Sequence, residues 1–305
     1  MPFIGCRCAV CVSTDPHDQR TRPSILIDIG PRDGESATRT AVRYILVDTS
    51  TDFRQQALAR RIDRIDAILF THSHADHVCG LDDIRRYNEM QRTAMPCFGS
   101  AQTLADLRRI FSYIFAPVQQ GGGVPKIELF PLGGAFSLGG VEIVPVPVMH
   151  GKLPVLGFRV GAFAYLTDCN HIPDASWPLL AGVKTVILDA LRHRPHSTHF
   201  SLSEAVDVVA RIGADRAYFT HISHDLGHAE TCARLPAGVE LAYDGQVIEV
   251  PGESWTSFTF PMMRARRAGG IRCSRSAIST ACIVGTARSS IACAGSPASV
   301  TPPRW

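Results

Sequence analysis

The stretch ILFTHSHADHVCGLDD, residues 68–83, governs how the rest of the chain is read. An apolar run ends at Thr71, and His72-x-His74-x-Asp76-His77 then presents three imidazoles and a carboxylate within six residues. Alternate residues of an extended loop point the same way, so His72 and His74 can meet one cation. Asp76 and His77 are then free to turn towards a second cation, about 3.5–4 Å away in two-metal sites. Neutral imidazole and carboxylate suit Zn²⁺, Mn²⁺ or Fe²⁺. The alternative is a surface loop that is His-rich by chance; four ligand-type residues directly after an apolar strand argue against it.

Working outward, short β-rich runs alternate with amphipathic helical runs from about Ser24 to Val250. Strands are predicted over 24–29, 43–48, 66–71, 142–148, 163–168, 184–189 and 216–220, from their Val, Ile, Leu, Phe and Tyr content and polar terminators. Helices are predicted over 52–61, 80–91, 101–111 and 202–212. The last begins with Ser201 or Ser203 as a cap and has Glu204 in its first turn. After Trp255 the chain becomes rich in Ser, Ala, Gly and Arg, and its periodicity fades. Residues 1–255 are therefore expected to form the folded domain, and 256–305 a disordered basic tail.

Of the 305 residues 45% are hydrophobic and 19% charged, enough for a sizeable core and inconsistent with wholesale disorder. The net charge of +3 hides an asymmetry. After Glu253 there are seven arginines and no acidic residue, so subtracting them from +3 leaves residues 1–253 at about −4. That is a poor footprint for gripping a polyanion. The N-terminus MPFIGCRCAVC lacks the basic and apolar regions of a secretory signal, and no uncharged apolar run approaches the ~20 residues of a membrane span. A cytoplasmic setting is expected, with the ten cysteines serving as thiols or metal ligands rather than disulfides.

The H-x-H-x-D-H segment resembles the signature of the metallo-β-lactamase superfamily. The resemblance implies an α/β fold, a four-layer αβ/βα sandwich, over roughly residues 24–250. It also implies a further His, Asp and His at the ends of later strands. His150 after VEIVPVPVM, Asp168 after FAYLT and His221 after RAYFT stand in that order. By resemblance His72, His74 and His150 would bind one metal, Asp76, His77 and His221 the other, and Asp168 would bridge them. Two such cations acidify a shared water and polarise an electrophile, which is hydrolytic chemistry.

Cys6-x-Cys8-x-x-Cys11 places three thiols within six residues, a spacing typical of closed structural zinc with four N/S ligands. The best fourth ligand is His224 in THISH, three residues beyond His221. Redox-active or unliganded cysteines are the competing readings. Cys79, Cys97, Cys169 and Cys232 are expected to be small buried hydrophobes. With this second cluster the chain looks like the phosphoribosyl cyclic phosphodiesterase branch of the superfamily, which combines G-C-x-C-x-x-C, G-L-D-D-[IL]-R and a final T-H-I-S-H. These correspond to residues 5–11, 80–85 and 220–224. The branch's first strand, which precedes its P-x-I-G-C segment, is not seen before Gly5, so the expectation is either a start placed too late or a fold that tolerates an open sheet edge.

The branch resemblance also implies a His about five residues before a Glu-Ala helix start that acts on the scissile phosphate, and His199 fits. Asp189 could orient it, and His196 is the runner-up in a loop that also holds His193. The expected catalytic set is Asp76, Asp168 and His199. Arg85, Arg86, Tyr87, Asn88 and Asp83 are weighed as phosphate contacts against an ordinary exposed helix face. The function expected is a dinuclear phosphodiesterase, using zinc or manganese plus one structural zinc, for a small cyclic or nucleotide-like phosphodiester. A homodimer is compatible with the sequence. An RNA-processing nuclease is disfavoured because only 31 positions separate Asp168 from His199, too few for a long RNA-binding arm. Thioester or lactone hydrolysis needs neither the Cys/His zinc nor His199. A scaffold that has lost turnover would not keep the full ligand set.

Overall fold

Strands buried on both faces read as unbroken apolar runs, and they organise this chain. In the computed structural model, which describes residues 1–30, 42–116, 123–250 and 257–259, two seven-stranded sheets have such runs at their centres. The strands are β1 Ile25–Asp28, β2 Tyr44–Val47, β3 Ala67–Leu69, β4 Met95–Gly99, β5 Ile127–Pro131, β6 Phe136–Leu138 and β7 Val141–His150. They continue as β8 Leu153–Val160, β9 Phe163–Leu166, β10 Thr185–Asp189, β11 Arg216–Thr220, β12 Val239–Leu241, β13 Val247–Glu249 and β14 Ser257–Thr259. One sheet has the order β13-β14-β1-β2-β3-β4-β5, the other β12-β11-β10-β9-β8-β7-β6. β2 to β5 are parallel, as are β9 to β12.

The two-residue period of a strand divides its side chains between layers. Ile25, Ile27, Ile45, Val47, Ala67 and Leu69 face the second sheet, where Ile143, Phe158, Phe163, Tyr165 and Ile187 meet them. Leu26, Tyr44, Leu46, Ile68 and Phe70 face the other way, onto Phe53, Ile84, Tyr87, Leu104 and Leu107 of the helices Phe53–Arg60, Ile84–Gln91 and Ala101–Ile110. On the far side of the second sheet Val146, Leu166, Val186 and Phe219 pack beneath Ala205 and Val209 of the helix Leu202–Ile212. The architecture is the four-layer αβ/βα sandwich. Each fully buried Ile, Leu or Phe contributes about 1.5–3 kcal/mol against the chain's conformational entropy.

The helix Leu202–Ile212 matches the sequence expectation because its ends are written locally. Ser201 and Glu204 form a reciprocal capping box, and Gly213 closes the helix at φ +74°. Elsewhere the sequence reading fell short. β4, β5, β6, β8, β12 and β13 were not foreseen, and the helix expected over 80–91 starts as the 3-10 turn Leu81–Asp83. Among the described residues β1 is the first strand, and it is not an edge: β14 pairs with it and β13 lies beyond. β14 falls inside the segment expected to be a tail. The rest of the expected tail lies outside the described residues. No helix among the described residues is long and apolar enough to cross a membrane.

The loop after β3 is held by a close approach at Gly80. A Cβ there would meet the Phe53 side chain at 2.6 Å and the backbone carbonyl of Ser50 closer still. Gly80→Ala should therefore cost about 1–3 kcal/mol in denaturant unfolding; an unchanged midpoint would show that the segment yields freely.

Candidate metal centre

Parallel strands from both sheets end at one place, and chemistry-bearing residues stand at those ends. Asp48 follows β2, His72 follows β3 and Thr71, His150 ends β7, Asp168 follows β9, Asp189 ends β10 and His221 follows β11. Three of these backbones are bent into the left-handed region: Asp48 at φ +63°, Asp168 at +49° and His221 at +56°. Such conformations cost about 1 kcal/mol or more and concentrate where side chains must be aimed. The H-x-H-x-D-H loop is extended only as far as His74 (φ −65°, ψ +150°); Ala75–Val78 is a helical turn carrying Asp76 and His77. The sequence reads as extended at His72 and His74, with Asp76 and His77 free to turn; the helical turn is what re-aims that second half.

Ligand atoms gather in two groups, each within 4.8 Å: His72, His74, His150 and Asp168, and then Asp76, His77, Asp168 and His221. Asp168 belongs to both. His72 Nε2 lies 2.9 Å from His74 Nδ1 and 3.7 Å from Asp168 Oδ2. His77 Nε2 is 3.1 Å from Asp168 Oδ1, and His221 Nε2 is 3.4 Å from Asp168 Oδ2 and 3.5 Å from Asp76 Oδ2. His77 Nε2 and His221 Nε2 are buried without a hydrogen bond. Lone pairs left bare beside carboxylates in a buried cleft are what a divalent cation requires, so the residues fit two such ions.

The opposite ring nitrogens are tied down, which fixes the tautomers. His77 Nδ1 sits 2.7 Å from Asp48 Oδ2, His150 Nδ1 2.9 Å from the Thr198 carbonyl and His72 Nδ1 3.0 Å from Thr71 Oγ1. Thr71 Oγ1 in turn donates to Asp48 Oδ2 at 2.7 Å. Asp48, Thr71 and Thr198 were missed in the sequence; an apolar strand ending in Asp, as at Asp168 and Asp189, was the available signal for Asp48. Charges follow this geometry. Burial opposes ionisation of Asp168, yet His221 and His77 hold its carboxyl well below the usual range. Burial acts the same way on Asp76, and its His221 contact and His77 overcome it. Burial, then the charge of His77, pushes His72 down, so it stays neutral and able to ligate.

His199 lies beside both groups. Its ring stacks on His221 with centroids 4.6 Å apart and 10° between planes, and its Nδ1 is 2.8 Å from Asp189 Oδ2. Burial, followed by neighbouring His221, pushes it down to about 4. Asp189, His199 and His221 also form a ligand-type group. His196 is 5.1 Å from the His199 ring and turns Nδ1 to Thr198, while His193 is exposed. Tyr87 donates to the Ile62 carbonyl, and the Asn88 amide serves Thr93 and Lys126. Arg85, Arg86 and Asp83 pair with Asp82, Glu89 and Arg54 on the surface. These five are absorbed by the fold and helix surface.

A separate cluster forms at the N-terminus. Cys6, Cys8 and Cys11 Sγ lie 3.3, 3.4 and 3.4 Å from His224 Nδ1. The S···N edge of a tetrahedral zinc site is about 3.6 Å, from bond lengths near 2.3 and 2.0–2.1 Å, so the four atoms fit one ion. Led by the Cys11 backbone hydrogen bond, the surroundings draw the Cys8 thiol down to about 6, favouring thiolate. Of the remaining described cysteines Cys97 and Cys169 are buried and Cys232 is half-buried. Cys79 is exposed, against expectation, because the helical turn before it points it outward.

Residues 43–222 match the Beta-lactamase superfamily domain family. The chain is 44% identical to a diphosphatase from the PhnP family of known crystal structure, covering 81% of this chain and 90% of that one with a TM-score of 0.71. It is 36% identical to the octanoyltransferase of Porphyromonas gingivalis over 80% of its own length, but it spans only 48% of that relative. A ribonuclease Z of Mycobacterium marinum is 26% identical over 77% of this chain and 94% of that protein. The chain belongs to the metallo-β-lactamase superfamily.

The thiolate cluster makes a stoichiometric prediction. Cys8→Ser should remove one metal ion per chain by elemental analysis and lower the Tm, with the His/Asp groups still loaded. Equal metal content before and after the substitution would refute a metal at this cluster.

Proposed function

We propose, proceeding from membership of this superfamily of metal-dependent hydrolases, that the chain hydrolyses a phosphodiester-type bond in a small phosphorylated substrate, cyclic or nucleotide-like. The observation that carries the reading is His199, an imidazole held by Asp189 alongside the two ligand groups. His72, His74, His150 and Asp168 would hold one cation and Asp76, His77, His221 and Asp168 the other; bound there, the pair supplies Lewis acidity to water and to a phosphoryl oxygen.

The chain's own residues then divide the work. Asp48, Thr71 and Thr198 keep the bare nitrogens of His77, His72 and His150 aimed at the cations. The hydrogen bond from Nδ1 to Asp189 leaves His199 Nε2 as the free ring atom; once protonated there from solvent, the imidazolium hands that proton to the leaving oxygen or hydrogen-bonds a phosphoryl oxygen. Asp189 compensates the charge His199 carries when doubly protonated. Burial, then the charge of the stacked His221, disfavours a resting imidazolium, so a proton taken up at Nε2 is released readily.

The diphosphatase likeness supports phosphoryl chemistry and also favours a second reading, cleavage of a diphosphate linkage. RNA is disfavoured by the slightly acidic 1–253 segment. The acyl transfer in the P. gingivalis relative's name can reside in the half of that protein this chain does not span.

A panel of bis(p-nitrophenyl) phosphate, cyclic ribose phosphates, diphosphate-linked nucleotides, thioesters and lactones separates these readings. Phosphodiesters should turn over fastest, and chelation should abolish turnover until Zn²⁺ or Mn²⁺ is restored. Appreciable activity in metal-free protein, or preference for a thioester, would remove the proposal. His199→Ala should lower kcat by about 10²–10⁴ with metal content unchanged; loss of metal instead would make His199 a ligand.

A further inference from the structure

His221 differs from its neighbours in the metal centre. His72, His77 and His150 each have a described partner for Nδ1, but His221 Nδ1 is buried and has none. Its Nε2 faces Asp76 and Asp168, so Nδ1 points away from those two carboxylates. An imidazole that ligates through Nε2 carries its proton on Nδ1 and must donate it to something.

His221 also lines a cavity of about 20 Å³, the volume open to the centre of a water molecule. Arg20, Thr21, Thr220, Ile222 and Asp244 line it with His221. Roughly 10–15 Å³ by that measure suffices for one water, provided two to four polar partners surround it. Arg20 is 6% exposed. Its Nη2 donates to the Leu226 carbonyl at 2.7 Å, while Nε has no partner and Nη1 only faces Asp18 at 3.6 Å. Both arginine and imidazole are donors, so they cannot satisfy one another directly. Each needs an acceptor, and the pocket they share has room for one.

The geometry points to a buried water that accepts from Arg20 Nε–H and His221 Nδ1–H and donates towards the Asp244 carboxylate, making Arg20 a positioning residue for His221. Asp244 already accepts from Thr21 N and Oγ1, at 3.0 and 2.6 Å on one oxygen, and retains lone pairs for this role. The water supplies the outer partner that His221 otherwise lacks, and thus sets the ring orientation and basicity of one ligand. The placement of the water depends on buried donors alone; its effect on the centre rests on the reading of His221 as a cation ligand.

Two measurements test this. A high-resolution crystal structure of the wild-type protein should show a water within about 3.2 Å of both Arg20 Nε and His221 Nδ1; a dry cavity overturns the proposal. Chelator competition on Arg20→Met should show one of the two His/Asp-bound cations weakened about 10–100-fold, the other and the thiolate-bound ion unchanged, and partial recovery in Arg20→Lys. Unaltered affinity in a folded Arg20→Met also overturns it. If that variant does not fold, the wild-type cavity decides. A bridging water in protein that binds no cation at His221 would count against the catalytic reading and leave the bridge standing.

Discussion

The Asp168 carboxylate is the point at which side chains from both sheets converge. Its side chain is 3% exposed, and three imidazole nitrogens, from His72, His77 and His221, approach it within 3.1–3.7 Å. Those histidines come from the loops after β3 and β11, in different sheets, and meet only because β9 ends beside both. A buried carboxylate ringed by imidazoles is several kcal/mol unfavourable unless its charge is balanced. The histidines balance it partly, and two divalent cations would do so fully. Cations bound there would therefore be linked to folding stability, since the ligand groups converge only in the folded state.

The left-handed backbones at Asp48, Asp168 and His221 belong to the same constraint. A strand cannot turn a side chain sharply across its own end without leaving the β region. That local strain is tolerated because the apolar strands behind, buried on both faces, hold the termini in place. The N-terminal segment adds a second restraint on the loop after β11. Arg20 reaches the Leu226 carbonyl, the Asp18 carboxylate accepts His228 N, Thr21 binds Asp244, and the three thiols surround His224. Whatever orders residues 1–22 thus also orders the segment that carries His221.

Much of the site was legible because its chemistry is local or follows a simple rule. His72 to His77 form one short run, and His150, Asp168 and His221 each follow a β-rich stretch. The residues that orient them were not legible. Asp48 and Thr71 act across strands and Thr198 acts through a backbone carbonyl, which no side-chain pattern encodes. The fold was legible where strands are buried on both faces and therefore uniformly apolar. β4 escaped because Pro96 interrupts it, and β5 because it is a half-exposed edge that ends on Pro131; β8 escaped because Pro154 and Gly157 look like breakers. Gly157 in fact marks a close approach to the Tyr165 backbone, where a Cβ would lie 2.8 Å from its carbonyl oxygen. Tyr87 and Asn88 looked available for substrate only because the sequence does not show that their polar atoms are taken up by nearby backbone.

The central claim is that Asp168 joins two cation sites. Anomalous diffraction from crystals of the protein loaded with Zn²⁺ tests it most directly. Two peaks should flank the Asp168 carboxylate about 3.5–4 Å apart, one against His72, His74 and His150 and the other against Asp76, His77 and His221. A single peak, or none within bonding distance of Asp168, would contradict the account.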